Sequence, residues 1–112
     1  MSVHIIADLS DCKISSLLWD EILVQEMTDI VDSVSEVLET RWQKFDNGAY
    51  TGVMLLAESH FSIHTWPEFG TCCFDLFTCG EVNPLEAAKK IELLLKGRND
   101  TTFTIINRSY NV

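Results

Sequence analysis

The pattern of apolar and polar positions predicts a chain that alternates between strands and helices. Alternating residues from Val3 to Leu9 predict a first strand with an apolar face. From about Leu17 to Glu39 the apolar residues fall at helical spacing, so we predict one long helix. Ser15, Ser16 and Asp20 each carry a side chain that could cap its first turn. The apolar positions of this segment are Leu23, Met27, Ile30, Val31, Val34, Val37 and Leu38.

The middle of the chain predicts a series of hairpins. Asn47-Gly48 is a typical hairpin turn, and Pro67 to Gly70 marks a second turn. The predicted strands cover residues 41–45, 50–57, 60–66 and 71–78. In the third of these, alternation places His60, Ser62, His64 and Trp66 on the face opposite Phe61, Ile63 and Thr65.

A second helix has recognisable signals at both ends. Asn83 is predicted as its N-cap, with Pro84 in the first turn, Glu86 completing a capping box and Gly97 just past the end. Its buried side is predicted to consist of Leu85, Ala88, Ile91 and Leu95. A last strand at 102–107 completes the order β-α-β-β-β-β-α-β. This order predicts an α+β fold, a two-layer α/β sandwich with a mainly antiparallel sheet and two helices on one face.

Composition narrows the class of protein. The 112 residues are enough for a single domain, residues 1–112, with one core. The formal net charge of −9 argues against binding nucleic acid, which needs clustered lysine and arginine, but is compatible with a cationic ligand. No stretch has the length and apolarity of a membrane span, and the first residues lack the basic start of a secretory signal. We therefore expect a cytoplasmic protein.

The four cysteines indicate neither a disulfide framework nor a metal site. Disulfides are improbable without a secretory signal, and the Cys-x-x-Cys spacing typical of zinc sites is absent. His60 and His64 are four residues apart, which suits metal binding on a helix better than on the predicted strand. We expect the thiols to be small core residues, with Cys79 as the exception.

Reactive side chains are concentrated between Leu55 and Gly80. One interpretation is a serine hydrolase in which Ser59 is the nucleophile and His60 or His64 is the base. The Gly-x-Ser-x-Gly turn that exposes a hydrolase serine is missing, however, and Ser59 lies between predicted strands. Taken singly, these side chains would more often be ordinary core or turn residues, so their joint spacing carries the argument.

Three blocks within this stretch have a distinctive spacing. They are Glu58-Ser59-His60, the run Ser62-Ile63-His64-Thr65-Trp66-Pro67-Glu68, and Phe77-Thr78-Cys79-Gly80. Together they closely resemble the small prokaryotic S-adenosylmethionine decarboxylases, which are self-processing, pyruvoyl-dependent enzymes. The resemblance covers nearly the whole chain, from His4 to the second helix. Ser2 stands where relatives often have glycine, and Thr51 stands where they usually have serine.

The resemblance implies that the chain cleaves itself between Glu58 and Ser59, into fragments 1–58 and 59–112. The Ser59 hydroxyl would attack the Glu58 carbonyl to form an ester. Loss of the Ser59 α-proton would expel the Glu58 carboxylate and leave dehydroalanine, which water hydrolyses to a covalently bound pyruvoyl group with release of ammonia. His64 is implied as the base for processing, which suits an imidazole near neutral pH. Thr51 is implied to assist through its hydroxyl.

The resemblance also implies how the processed protein would work. The pyruvoyl ketone would form a Schiff base with the substrate amine and accept electrons as carbon dioxide leaves, the role that pyridoxal phosphate has elsewhere. Neither a metal nor pyridoxal phosphate is expected. Cys79 is implied as the proton donor to the substrate, because a thiol has a pKa closer to neutrality than a hydroxyl.

Substrate and partner follow from the same resemblance. Phe45 and Trp66 match aromatic residues that stack on adenine, and Glu68 matches the carboxylate that binds the ribose. The implied reaction converts S-adenosylmethionine to its decarboxylated form, the aminopropyl donor for spermidine and other polyamines. A homodimer with shared sites is expected, with Phe45 supplied by the neighbouring protomer, because it would cover an otherwise exposed apolar sheet face.

Two alternatives remain open from the sequence. A pyruvoyl-dependent ornithine or arginine decarboxylase could use the same scaffold, although Trp66 and Glu68 favour the nucleoside substrate. The second alternative is an unprocessed, inactive regulatory subunit, which would remain a single chain.

Overall fold

A computed structural model describes residues 2–108 of the chain, so Met1 and residues 109–112 at the ends of the predicted domain lie outside it. An antiparallel sheet of six strands carries the fold, in the spatial order β2-β3-β4-β5-β1-β6. The elements in chain order are β1 (Ser2–Leu9), α1 (Ile14–Leu17), α2 (Glu21–Asp32), β2 (Val37–Lys44), β3 (Tyr50–Leu56), β4 (His60–Trp66), a short 3₁₀ turn (Pro67–Phe69), β5 (Thr71–Cys79), α3 (Leu85–Lys96) and β6 (Thr104–Arg108).

One core lies between the sheet and the helices. Alternate strand residues such as Ile5, Phe61 and Phe74 are buried in it, together with Met27 of α2 and Ile91 of α3. The other sheet face, which we call the open face, has no helix packed on it among residues 2–108. The predicted α+β class, the two layers and the antiparallel sheet are confirmed.

The first predicted helix is too long at both ends. The predicted range contains only the last residue of α1, all of α2 and the start of β2, and residues 2–108 form three helices where two were predicted. Asp20 caps α2, accepting hydrogen bonds from the backbone N–H groups of Ile22 and Leu23 at 2.8 and 3.0 Å. Asp32 Oδ1 accepts a bond from Val37 N at 3.0 Å, where the chain leaves the helix for β2. Helical spacing misled here because the turn after α2 also packs against the core.

The second half of the chain follows the prediction more closely. Helix α3 begins at Leu85, one residue later than expected, and Asn83 Oδ1 accepts a bond from Leu85 N at 2.9 Å. Gly97 ends it at a φ of 81°, a left-handed conformation that favours glycine. The last strand begins at Thr104, two residues later than predicted.

Sheet register determines which side chains are neighbours on the open face. On β4, His64 lies opposite Thr51 of β3 and Cys73 of β5. At the other end of β5, Cys79 lies opposite Ser2 of β1. Because strand β1 is inserted between β5 and β6, the first residues of the chain lie inside the sheet, beside β5.

Candidate functional site

The Glu58–Ser59 bond lies in the tight connection between β3 and β4. Leu56 N donates to the carbonyl oxygen of Ser59 at 3.0 Å, which closes the turn around Ala57 and Glu58. Glu58 is exposed, whereas Ser59 is buried. This peptide bond is therefore held in a fixed, solvent-facing turn directly before a buried hydroxyl.

Ser59 and Cys79 lie side by side at one end of the open face. Cys79 N donates to Ser59 Oγ at 3.1 Å. Ser2 Oγ lies 3.2 Å from Cys79 Sγ, within hydrogen-bonding distance, and Ser2 is 1% exposed. We call Ser2, Ser59 and Cys79 the serine–thiol group. It brings together the hydroxyl predicted as the nucleophile and the thiol predicted as the proton donor.

A second group surrounds a groove of about 370 Å³ near the other end of β4. Thr51 Oγ1 and His64 Nδ1 are hydrogen-bonded at 3.0 Å, so the Thr51 hydroxyl orients the imidazole. The rings of His64 and Trp66 are 6.2 Å apart at an angle of 32°. We call Phe45, Thr51, His64, Trp66 and Glu68, all of which line the groove, the histidine–aromatic group.

Asn47 connects the β2–β3 hairpin to this groove. Its Nδ2 donates to Glu68 Oε2 at 3.0 Å, and its Oδ1 accepts a bond from Ala49 N at 3.1 Å. The Asn47 side chain therefore orients the Glu68 carboxylate while stabilising its own turn. The sequence analysis identified Asn47 only as a turn residue.

The serine–thiol and histidine–aromatic groups are far apart within one chain. Cys79 contacts Ser59, whereas His64 lies opposite Cys73, six residues earlier on β5. Six residues of extended strand span roughly 20 Å. The His64 imidazole therefore cannot reach the Ser59 hydroxyl of the same protomer.

The open face between the two groups is partly polar and partly apolar. His4 Nε2 lies 3.6 Å from Asp75 Oδ1, and Ser62 Oγ donates to Asp75 Oδ2 at 3.5 Å. Val53 and Leu55 are 48% and 54% exposed on the neighbouring strand. A surface of this kind, with large apolar side chains beside polar ones, is typical of protein interfaces.

The structure brings together some of the predicted site residues and separates others. Ser59 and Cys79 are neighbours, and His64 is apart from both. Phe45 shares a groove with Trp66 and Glu68 of its own chain. The sequence analysis missed the contacts of Ser2 and Asn47, and only Ser2 carried a signal, as a departure from the glycine of relatives.

Two further features of the described chain bear on the site. Among residues 2–108, no cluster of three or more His, Cys, Asp or Glu side chains has the geometry to hold a metal ion. In the same range, no helix is both long and apolar enough to cross a membrane. The pKa of the Cys73 thiol is raised by burial and by the nearby carboxylates of Asp8 and Asp75, so this thiol stays protonated near neutral pH.

The fold and the site together define a two-layer α+β protein with a buried serine and a thiol-bearing residue side by side at one end of its uncovered sheet face. The sequence profile of the family described as S-adenosylmethionine decarboxylase matches residues 3–109. S-adenosylmethionine decarboxylase proenzymes are 40% identical in Caldicellulosiruptor saccharolyticus, over 88% of this chain and 82% of the relative, and 43% identical in Methanococcus aeolicus, over 83% and 81%. The crystal structure of the adenosylmethionine decarboxylase from Aquifex aeolicus superposes with a TM-score of 0.82 at 27% identity, covering 99% of this chain and 92% of that one.

The chain belongs to the S-adenosylmethionine decarboxylase family. This confirms the resemblance on which the sequence analysis relied. It is a family of decarboxylases with a known role in polyamine biosynthesis.

Proposed function

We propose that this protein is a proenzyme that cleaves itself between Glu58 and Ser59 and then decarboxylates S-adenosylmethionine. The observation that carries the proposal is the serine–thiol group. A buried serine directly after an exposed, tightly turned peptide bond hydrogen-bonds to the residue that bears the thiol. The decarboxylated product would be the aminopropyl donor for polyamine synthesis. The cytoplasmic location expected from the sequence stays a prediction.

Processing requires the Ser59 oxygen to attack the carbonyl carbon of Glu58. The Cys79 N–H, 3.1 Å from Ser59 Oγ, stabilises negative charge on that oxygen as its proton leaves. The attack replaces an amide with an ester, whose carboxylate is a much better leaving group. The turn closed by Leu56 and Ser59 keeps the reacting bond in place during both steps.

The residues around Ser59 fit a pyruvoyl group formed at this position. When present, that group supplies the ketone that holds the substrate amine and accepts electrons on decarboxylation. Cys79 Sγ is then the nearby proton donor, and the Ser2 hydroxyl at 3.2 Å orients it. The 1% exposure of Ser2 keeps bulk water away from the side of the thiol that Ser2 contacts.

The separation of the two groups favours a homodimer with shared sites. Within one chain, the predicted base His64 lies five residues from Ser59 along β4, roughly 16 Å away. A two-fold axis that crosses the open face near Ser62 and Asp75 would place the serine–thiol group of one protomer against the histidine–aromatic group of the other. Two complete sites would result. The same contact would cover Val53 and Leu55, which are exposed in one chain.

This arrangement revises the expectation for Phe45. Phe45, Trp66 and Glu68 line one groove in one chain, so the neighbour would contribute all three together with His64 and Thr51. The aromatic rings would stack on adenine and attract the sulfonium cation, and the Glu68 carboxylate would accept hydrogen bonds from the ribose hydroxyls. Asn47 would position that carboxylate through its bond to Oε2.

Mass spectrometry of the purified chain tests the proposal. The unmodified protein should separate into fragments 1–58 and 59–112, the second lacking a free amino terminus. Ser59→Ala should remain one inactive chain, because alanine has no hydroxyl to attack the Glu58 carbonyl. Ser10→Ala changes an exposed serine and is the matched control, expected to process fully.

Either of two results would overturn part of the proposal. Cleavage at the same bond in Ser59→Ala would exclude Ser59 as the nucleophile. Carbon dioxide release from ornithine or arginine, but not from S-adenosylmethionine, would replace the substrate while keeping the processing chemistry.

A further inference from the structure

Two buried thiols contact each other outside the groups that form the candidate site. Cys12 follows β1 and Cys72 lies near the start of β5, and their Sγ atoms are 4.0 Å apart. Both side chains are nearly inaccessible, at 7% and 2% exposure. Neither thiol has a role in the proposed reaction.

The backbone holds this pair in place. Leu9, three residues before Cys12, lies opposite Cys72 in the sheet register. Cys12 N donates to the carbonyl oxygen of Gly70 at 3.0 Å, and Lys13 N donates to that of Leu95 at 2.9 Å. The backbone hydrogen bonds of Cys12 and Lys13 therefore fix the position of the Cys12 thiol beside Cys72.

We propose that Cys12 and Cys72 are an oxidisable thiol pair that closes a reversible disulfide when the protein meets a hydroperoxide. If the chain is cleaved as proposed above, the disulfide would also link two separate fragments, and this part of the inference rests on the proposed function. Cys12 belongs to fragment 1–58 and Cys72 to fragment 59–112, so the disulfide would covalently rejoin the two fragments of one protomer.

The chemistry needs only the two thiols and the peroxide. The Cys12 thiolate attacks one peroxide oxygen, the O–O bond breaks, and the sulfur becomes a sulfenic acid as the alcohol or water leaves. The Cys72 sulfur then attacks the Cys12 sulfur, forming the S–S bond and releasing water. Two thiols lose two electrons in total, and the peroxide is reduced by the same two.

The surroundings assign the two roles. Hydrogen bonding from the Cys72 thiol lowers the pKa of Cys12, against the effect of burial, and the positive charges of Lys96 and Arg98 lower it further. The same contact and its own burial raise the pKa of Cys72. Cys12 also lies beside the exposed residues Asp11 and Lys13, so a small peroxide reaches it first.

Closing the disulfide requires a small movement. The sulfur atoms must approach by about 2 Å to reach bonding distance. Rotation of the two thiol side chains can supply this movement while the backbone hydrogen bonds of Cys12 and Lys13 remain in place. Cys12 N is hydrogen-bonded to the carbonyl oxygen of Gly70, and Gly70 directly follows the turn that carries Glu68. The disulfide would therefore also restrain that turn.

The first experiment uses the Ser59→Ala chain, so that its result does not depend on cleavage. Treatment with hydrogen peroxide should lower its intact mass by about 2 Da, and a reductant should restore it. Peptide mapping should find Cys12 linked to Cys72. Cys12→Ser and Cys72→Ser should abolish the mass loss, whereas Cys73→Ser should retain it, because Cys73 lies on the opposite sheet face.

The second experiment uses the cleaved protein. After peroxide treatment, denaturing electrophoresis without reductant should show one band at the size of the whole chain, which separates into two fragments on reduction. A disulfide in Ser59→Ala with no cleavage in the unmodified protein would reject the proposed function and leave the thiol pair standing. The proposed thiol pair would be rejected by a disulfide that includes Cys73 or Cys79, or by oxidation of other thiols while Cys12 and Cys72 remain free. Peptide mapping of the peroxide-treated unmodified protein identifies the linked cysteines without relying on the folding of Cys12→Ser or Cys72→Ser.

Discussion

The four cysteines have different surroundings, and these surroundings separate their roles at the scale of single residues. Cys79 lies beside Ser59 and Ser2, whereas Cys73 lies opposite His64, with Asp8 and Asp75 near enough to raise the pKa of its thiol. A protonated thiol is a competent acid, but only Cys79 is next to the reacting bond. Position therefore favours Cys79 over Cys73 as the proposed proton donor.

We expect Cys79→Ala to lower turnover of S-adenosylmethionine by about a hundredfold or more, because it removes a general acid. Cleavage should continue at least in part, since the Cys79 backbone N–H remains. Cys73→Ala is the matched control, with turnover close to that of the unmodified protein. Turnover per cleaved chain measures both. Normal turnover in Cys79→Ala would show that another group donates the proton.

Trp66 and Phe69 together test whether adenine binds in the groove. Trp66 lines the groove, while Phe69 lies three residues later, 74% exposed, and does not line it. Trp66→Ala should raise KM for S-adenosylmethionine about fivefold, because loss of stacking costs about 1 kcal/mol. Phe69→Ala should leave KM unchanged. Equal effects of the two changes would mean that adenine does not bind in this groove.

At the scale of elements, caps and turns decide where helices and strands begin. Three side chains near the first helix were cap candidates, and the structure selects Asp20, whose Oδ1 accepts two backbone bonds. The N-cap residues of α1 and α3, by contrast, make no side-chain cap bond. Helix α2 buries Val24, Met27 and Val31, so the Asp20 cap stabilises a helix that contributes side chains to the buried interior.

Asp20→Ala should therefore destabilise the fold by about 1 kcal/mol, the usual cost of losing an N-cap. For a domain of this size the melting temperature should fall by about 5 °C. Ser15→Ala, at an exposed candidate position, should change it little. Both are best measured in the Ser59→Ala background at one protein concentration, so that cleavage and association are constant. An equal shift in the two variants would reject Asp20 as the effective cap.

At the scale of the whole molecule, the open face carries the two groups of predicted site residues and has no helix on it within residues 2–108. The serine–thiol group lies at one end of it and the histidine–aromatic group near the other. A single chain therefore contains all the predicted residues without assembling them. The proposed two-fold contact would both complete the sites and cover the exposed apolar side chains.

Hybrid dimers test this assembly. When each is expressed alone, Ser59→Ala and His64→Ala should remain uncleaved. When they are co-expressed with distinguishable tags, the His64→Ala chain should be cleaved, because its Ser59 would face the intact His64 of the partner. About half of randomly formed dimers are hybrids with one complete site. Cleavage of the tagged His64→Ala chain, measured by mass, gives the result.

The matched control for this experiment combines both changes in one chain. A Ser59→Ala/His64→Ala chain, co-expressed with the unmodified protein, should form hybrids without any complete site. The unmodified chain would then be cleaved less than when it is expressed alone. Full cleavage in these hybrids, or no rescue in verified Ser59→Ala and His64→Ala hybrids, would place the base within the same chain.

Local features were readable from the sequence. The alternation of β4, the Asn47-Gly48 hairpin and the Gly97 helix end follow from backbone geometry over a few residues, and the structure has all three. The resemblance to the family was readable for the same reason, because the blocks that carry it lie within a single stretch. The helix predicted from Leu17 to Glu39 failed where a turn and a strand continued the same apolar spacing.

The contacts between distant segments were decided only by the tertiary structure. Ser2 meets Cys79 and Cys12 meets Cys72 because β1 enters the sheet beside β5, a pairing across most of the chain that no local period encodes. The same sheet register separates Ser59 from His64, although only four residues lie between them in the sequence. An extended strand carries neighbouring residues away from each other, whereas long-range pairing brings remote ones together. The amino-acid order thus determined which reactive groups the protein has, and the burial of one sheet face against the helices determined which of them meet.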